Sequence, residues 1–358
     1  MQPDSYPADL GFRMPAEWEP HSATWLAWPH NTETWPGRNL AEIEEVYIRI
    51  IQALVPGEAI HLMVNRNADS LPIKGLLKKR SITIGNIKTH VITTNDAWIR
   101  DYGPNFLVRD TSSGKREVSA NLWKFDSWGG KYEWDLDDRA GSAIMDALGG
   151  TRFEPGIVLE GGAVEVNGRG LCLTTEQCLL NPNRNGGLDR ETMESYLKRY
   201  LGVRHIIWCQ GQIEGDDTDG HIDNLVRFVN PDTVLTAWEE DPADPNHACL
   251  NENFKILESF RDAGGKPLNV VKLPMPGRID SNAGRIDSNE GRLPASYVNF
   301  YIGNRAVLLP TYHHPNDAVA ESLLQQYFPD REIVGIPCES FVLGLGAIHC
   351  VTQQQPEP

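Results

Sequence analysis

A slow rhythm of polar clusters, each leading into two short apolar runs joined by a turn, constrains this chain more than any single motif. Asp96 to Asp101 precedes Phe106-Leu107-Val108, with a second run near Glu117-Val118. Glu160-Gly161-Gly162 precedes Ala163 to Val166, which turns at Asn167-Gly168 and returns as Leu171-Cys172-Leu173. Gly220 to Asp223 precedes Val226 to Val229, a turn at Asn230-Pro231-Asp232, and Val234-Leu235. Ser296-Tyr297 precedes Val298 to Ile302, a turn at Gly303-Asn304, and Ala306 to Leu309; the Cys350 segment ends the series. Paired apolar runs around such turns mark β-hairpins. With Asp96, Glu160, His221, Tyr297 and Cys350 as markers, the steps are 64, 61, 76 and 53 residues. Helical patterns at Arg190 to Tyr200 and Asp317 to Tyr327 lie between markers, and Glu42 to Leu54 lies ahead of the first. The rhythm suggests a closed, pseudo-symmetric α/β array whose polar clusters converge on one centre. The units share spacing rather than sequence, so an irregular α/β domain stands beside that reading.

At 358 residues the chain has room for two or three average domains, although one large α/β domain spanning 1–358 is ordinary at this length. The N-terminus lacks the basic-then-apolar pattern of a signal peptide. No apolar run approaches the ~18 residues of a membrane span. Six cysteines with no repeated CxxC fit free thiols in the cytoplasm better than a disulfide framework or a structural zinc site. The formal charge of −16 argues against nucleic acid and favours attraction of a small cation. A direct duplication, Gly277-Arg278-Ile279-Asp280-Ser281-Asn282-Ala283 followed by Gly284-Arg285-Ile286-Asp287-Ser288-Asn289-Glu290, reads as a polar surface loop bordering a site.

The chemistry concentrates in few places. Cys350 follows Gly344-Leu345-Gly346-Ala347-Ile348-His349 and leads into a polar exit; this suits a thiol displayed at the lip of a pocket, with glycines that let backbone approach a ligand. Cys172 and Cys209 read as core, and Cys178, Cys249 and Cys338 have no distinctive polar context. His221 and Asp223, in an extended segment, would point to one face. That pair serves a metal site, a catalytic base with an acid neighbour, or a structural hydrogen bond; no further cluster supports the metal. In Asn95-Asp96-Ala97-Trp98-Ile99-Arg100-Asp101-Tyr102-Gly103-Pro104, the bland reading is an Arg100–Asp101 ion pair in a turn. The functional one gives Asp96 to a cationic ligand and Trp98 to an apolar or cation–π wall. Glu160 either caps a turn or supplies a carboxylate to a ligand or histidine. No GxSxG, P-loop or GxGxxG motif is present. A glycoside hydrolase would use the acids and tryptophans but leave Cys350 and His221 without a role.

Met14-Pro15-Ala16-Glu17-Trp18-Glu19-Pro20-His21 with Thr24-Trp25-Leu26-Ala27-Trp28-Pro29, Asn95 to Asp101, Glu160-Gly161-Gly162, Gly220-His221-Ile222-Asp223-Asn224, Ala295 to Tyr301, and Ile348-His349-Cys350-Val351-Thr352-Gln353-Gln354-Gln355-Pro356 together resemble agmatine deiminases and the related bacterial peptidylarginine deiminases. These motifs span nearly the whole chain in order. The resemblance implies the pentein fold, a five-bladed α/β propeller with its site on the pseudo-fivefold axis, in one domain without metal or cofactor. It also implies a small cationic guanidino substrate, with no nucleic acid or membrane partner; assembly into a homo-oligomer is left open. On this basis Asp96 and Asp223 grip the guanidinium, Cys350 attacks its carbon, His221 moves protons, and Glu160 orients His221. Trp98 and Trp128 wall the substrate. Agmatine is the expected substrate, giving N-carbamoylputrescine on the way to putrescine. Peptidylarginine or free arginine with the same chemistry, and a non-catalytic guanidino-binding protein, are the alternatives. The acids of Glu214-Gly215-Asp216-Asp217-Thr218-Asp219 would supply a negative field for the distal ammonium, whereas Arg278, Arg285 or Arg292 could instead receive a carboxylate. Two departures stand out: Gly344-Leu345-Gly346-Ala347 replaces the usual Gly-Gly-Gly-Asn, and the duplication stands where an Arg-x-Ala-Gly-x-Arg segment is common.

Overall fold

The computed structural model describes residues 5–281 and 291–358. Five small mixed sheets repeat one pattern: two antiparallel strands, a helix, and a third strand parallel to the second. One sheet holds Asn105–Asp110, Arg116–Asn121 and Thr151–Phe153, with the helix Asp137–Leu148 between the last two. The next has Glu165–Val166, Leu171–Thr175 and His205–Cys209 with the helix Arg190–Leu201. A further sheet pairs Val226–Asn230, Thr233–Trp238 and Asn269–Pro274 around His247–Ser259. Another pairs Tyr301–Ile302, Ala306–Thr311 and Glu332–Pro337 around Asn316–Tyr327.

The remaining sheet closes the ring. Its first strand, Gln353–Pro356, comes from the far end of the chain and runs antiparallel to His21–Ala27. His21–Ala27 is parallel to Ala59–Val64 after the helix Leu40–Leu54, and Ile87–Val91 adds a fourth strand. The chain is therefore a five-bladed α/β propeller, as the rhythm and the resemblance led us to expect.

Local chemistry explains the helices. In Leu40–Leu54 the Asn39 side chain accepts the Ala41 N–H, satisfying an otherwise orphan donor, and Ile43, Val46, Tyr47, Ile50, Ile51 and Leu54 are buried along one face. Asp189 caps Arg190–Leu201 through the Thr192 N–H, and Gly202, at φ 67°, ends it in the left-handed region that favours glycine. Each such cap contributes about 1 kcal/mol.

The position of the site follows from the repeat. Immediately before the first strand of each blade the chain makes a single tight turn: Ile99–Tyr102, Gly161–Ala163, Ile222–Asn224, the Ser296-to-Asn299 segment, and His349–Val351. Ile99–Tyr102 packs on Gly161–Ala163 and on His349–Val351, and Gly161–Ala163 packs on Ile222–Asn224. Asn299 joins the remaining two, donating from Nδ2 to Asn224 Oδ1 at 2.9 Å and contacting Cys350 Sγ at 3.2 Å. Five turns thus form a ring.

Two local expectations change. Gly220 to Asp223 is not an extended run: Gly220 sits at φ 102° and His221 caps a tight helical turn at Ile222–Asn224. Val298 belongs to a turn, and the strand after it is only Tyr301–Ile302. Most of the duplication, including Arg285, lies outside the described residues. Its flanks pair through an antiparallel bridge between Asp280 and Arg292.

Candidate active site

A cavity of about 600 Å³ opens over the ring, and its lining includes Asp96, Trp98, Asp101, Trp128, Asp217 and Cys350. That volume suits a small molecule. Glu33, Glu133 and Asp137 bring the carboxylates in the lining to six, and no lysine, arginine or histidine is among its described residues. The six are not all charged at neutral pH: burial pushes the Asp137 carboxyl up to about 8.

Cys350 is on the floor rather than the lip, 5 % exposed. The tight turn His349–Val351 carries it there, and the glycines before it line the cavity and have a second job as well. A Cβ on Gly346 would fall 2.5 Å from the Trp98 ring; one on Gly344 would fall 2.7 Å from Trp35 Nε1 and 2.9 Å from Trp98. The glycines admit the Trp98 indole that walls the cavity and the Trp35 indole packed on it. Burial raises the Cys350 thiol well above its usual range, and the charges of Asp223 and Asp101 raise it further. The free site therefore holds a thiol.

His221 is fully buried behind the floor, and neither ring nitrogen has a hydrogen-bond partner among the described residues. Burial lowers it to about 4, against the opposing pull of Asp223. It rests as neutral imidazole. Nδ1 lies 3.6 Å from Asp101 Oδ1. Glu160 was expected to bind the histidine, but its Oε1 takes the Arg184 Nε–H at 2.6 Å and its Oε2 has no partner among the described residues. Burial raises Glu160, with Arg184 opposing. The guanidinium, a fixed planar donor, outcompetes an imidazole for this carboxylate.

Asp223 keeps one oxygen in hand. Its Oδ2 accepts the His349 Nδ1–H at 2.7 Å, while Oδ1 has no partner among the described residues. Burial would raise this carboxyl, but the hydrogen bond and charge of His349 outweigh it and hold it below the usual range. Asp96 accepts the Thr34 hydroxyl at 2.6 Å and the Ala97 N–H at 2.7 Å, which leaves acceptor capacity on both oxygens. Burial raises it, against the Thr34 bond.

Asp101, paired with Arg100 in the bland reading of the sequence, lines the cavity. Arg100 turns away to Gln354, Glu17 and the His349 carbonyl. Asp101 accepts the Gly162 N–H at 2.9 Å and the Trp128 indole N–H at 3.1 Å, fixing that wall. Burial, Asp223 and Glu160 together raise it well above the usual range. The helical geometry was the available signal, since neighbours i and i+1 on one turn do not face each other.

The outer residues also sort themselves. Of the acids between Glu214 and Asp219, Asp217 alone is in the cavity lining. Glu214 pairs with Arg278 and Arg292, and Asp219 with Arg184 and Lys131. Arg292 also pairs with Asp244, and Arg278 with Asp280; neither arginine is in the lining. Glu160, Cys178 and His221 bring three donor atoms within 4.8 Å of one another. The Arg184 guanidinium on Glu160 and the buried Cys178 thiol, pushed well up by burial, set that corner against a cation, and we assign no metal ligand.

Residues 13–356 match the family model described as Porphyromonas-type peptidyl-arginine deiminase. The agmatine deiminase of Ectopseudomonas mendocina is 39 % identical over 370 residues, 97 % of this chain and 96 % of that protein. A structure of the agmatine deiminase of Enterococcus faecalis superposes with a TM-score of 0.89 at 31 % identity, covering 99 % of this chain and 98 % of the other. The agmatine deiminase of C. jejuni with substrate bound gives 0.84 at 28 % identity, covering 97 % and 96 %.

Proposed function

The chain belongs to the Porphyromonas-type peptidyl-arginine deiminase family, and from its similarity to agmatine deiminases over nearly its whole length we infer an agmatine deiminase, a hydrolase that converts agmatine and water to N-carbamoylputrescine and ammonia. The observation that carries the substrate is the cavity lining: six acidic side chains, and no cationic side chain among its described residues. A substrate cationic at both ends meets that lining well. The α-carboxylate of free arginine would have no counter-charge among the described lining residues, and an unpaired buried charge costs on the order of ~3 kcal/mol or more.

The roles we propose follow from the geometry. The guanidinium lies between Asp96 and Asp223, whose free acceptors take its N–H groups as charge-assisted pairs. Trp98 and Trp128 confine its plane and the tetramethylene chain, and Asp217 and Glu33 stand nearer the ammonium. The incoming cation stabilises the Cys350 thiolate, and the thiol proton passes to His221. The sulfur adds to the guanidinium carbon. His221 returns the proton to one terminal nitrogen, the C–N bond breaks, ammonia leaves, and an S-alkyl thiouronium remains. Neutral His221 then takes a proton from water as the hydroxide adds to the same carbon. The C–S bond breaks as the added oxygen gives up its proton to solvent and becomes the carbonyl, the ureido product leaves, and the proton held by His221 returns to sulfur. Glu160 and Arg184 support His221 from behind, and Asp101 sets Trp128 and the Gly162 backbone around it.

We propose one catalytic domain, since the strand Gln353–Pro356 completes the blade that begins the chain. All six cysteines are free, which supports a cytoplasmic, thiol-preserving setting. Among the described residues no helix is long and apolar enough to cross a membrane. Parallel assays of ammonia release from agmatine, free arginine and a peptide ending in arginine test the reading: preference for either of the last two would leave the chemistry and overturn the substrate.

A further inference from the structure

We propose that His349, the residue before the nucleophile, is a positioning residue: an imidazolium clamped between Glu17 and Asp223, it holds Asp223 as an oriented carboxylate for the substrate's guanidinium. This rests on the reading of Asp223 as a guanidinium ligand.

His349 is 2 % exposed, and both ring nitrogens meet carboxylate oxygens: Nε2 at 2.8 Å from Glu17 Oε2 and Nδ1 at 2.7 Å from Asp223 Oδ2. The other neighbours of Glu17 are groups that only donate. Its Oε1 faces the Ile302 N–H at 2.8 Å and Arg227 Nη2 at 2.8 Å; its Oε2 also takes Arg100 Nη2 at 3.3 Å. Glu17 is therefore an acceptor throughout, so Nε2 carries a hydrogen. If the ring were neutral, Nδ1 would be bare and Asp223 would have to be protonated on Oδ2. A neutral carboxyl is a poor ligand for a cation, and the site would lose one arm of its grip.

Charge counting gives the same answer. Arg227 also donates from Nε to Glu165 Oε2 at 3.0 Å, and the Phe228 N–H binds Glu165 Oε1 at 2.9 Å. Arg100 and Arg227 thus balance Glu17 and Glu165. What remains is Asp223, facing His349, the neutral His221, the raised Asp101 and the Cys350 thiol. The imidazolium of His349 is the counter-charge in contact with it. Its backbone is fixed as well: the His349 N–H reaches Asn299 Oδ1 at 2.9 Å, and Asn299 Nδ2 approaches Cys350 Sγ at 3.2 Å. Nucleophile and carboxylate are therefore set by one pair of consecutive residues.

The test is the pH profile of His349→Asn. Removing the imidazolium raises the carboxyl of Asp223, so activity is lost at higher pH as the solution is acidified. The acid limb of kcat/KM for agmatine should move up by about one to three pH units, and activity should recover toward high pH. Should this variant fail to fold, Glu17→Gln leaves the imidazole in place and should move the limb the same way by less. A limb at the wild-type position, with activity lowered evenly or unchanged, would overturn the proposal and leave His349 a packing residue. A second readout needs no turnover. The ratio of Cys350 labelling by a cationic haloacetamidine to labelling by neutral iodoacetamide should fall at least ~10-fold at pH 6 in His349→Asn. It should fall no further in His349→Asn/Asp223→Asn. An unchanged ratio contradicts the clamp, whereas a wild-type protein that labels selectively without deiminating agmatine contradicts only the substrate.

Discussion

The sulfur of Cys350 lies 3.8 Å from Oδ2 of Asp223, so the nucleophile faces a carboxylate and not a cation. Thiolates need positive surroundings, and in the mechanism we propose this one acquires them when the guanidinium arrives between the carboxylates. Substrate charge thereby becomes part of nucleophile activation.

The thiol's resting state can be read by alkylation. Because burial and the two aspartates raise Cys350 well above its usual range, iodoacetamide should label it slowly at pH 7, with a rate that climbs through pH 9 without a plateau. A haloacetamidine, which carries its own cation, should label Cys350 far faster than the other five cysteines, and agmatine should protect it. Peptide mapping by mass spectrometry locates the adduct. Fast labelling by iodoacetamide with a plateau near pH 7 would mean a resting thiolate.

Gly162 should tolerate no side chain. A Cβ there would fall 2.6 Å from His221 Nδ1, 2.9 Å from Asp101 Oδ1 and 3.0 Å from Asp223 Oδ2, so one methyl group displaces three site residues at once. Gly162→Ala should cost about 1–3 kcal/mol of stability as overpacking and lower kcat/KM at least ~100-fold, since small misplacements of reacting groups are expensive. Gly75→Ala, in open space within a helix, is the control and should be active. Wild-type turnover by Gly162→Ala would show that the three groups are not arranged around that backbone.

Leu345 lines the cavity at φ 69°, in the left-handed region, where a Cβ is strained by about 1–2 kcal/mol. Leu345→Ala removes packing and keeps the strain; Leu345→Gly removes packing and relieves it. The glycine variant should be the more stable of the two by about 1 kcal/mol in denaturant unfolding. Ordinary helix or strand positions give the reverse order, so an alanine variant at least as stable would contradict this backbone.

The sequence made the blades legible where apolar runs flank a turn, as at Leu171 to Leu173 and Val226 to Val229. It hid the strand that closes the ring, because Gln353-Gln354-Gln355-Pro356 has no apolar alternation and its partner His21–Ala27 is at the other end of the chain. Helices Asp137–Leu148 and His247–Ser259 went unread, their buried faces being short and broken by polar residues such as Asp137 and Asn253. At the site, Asp96, His221, Asp223 and Cys350 stood in recognisable clusters. Asp101 was masked by its neighbour Arg100. The partnership of Glu160 with Arg184 joins residues on separate loops, which no local pattern reports.

The central claim is a site for a guanidinium with a cationic tail. Its most direct measurement is kcat/KM for agmatine, free arginine and a short peptide ending in arginine, assayed side by side for ammonia release. The account predicts agmatine preferred over free arginine by at least ~100-fold, with N-carbamoylputrescine as product. Equal or better turnover of free arginine would contradict it, because the carboxylate-lined cavity would then be accepting the charge it should exclude.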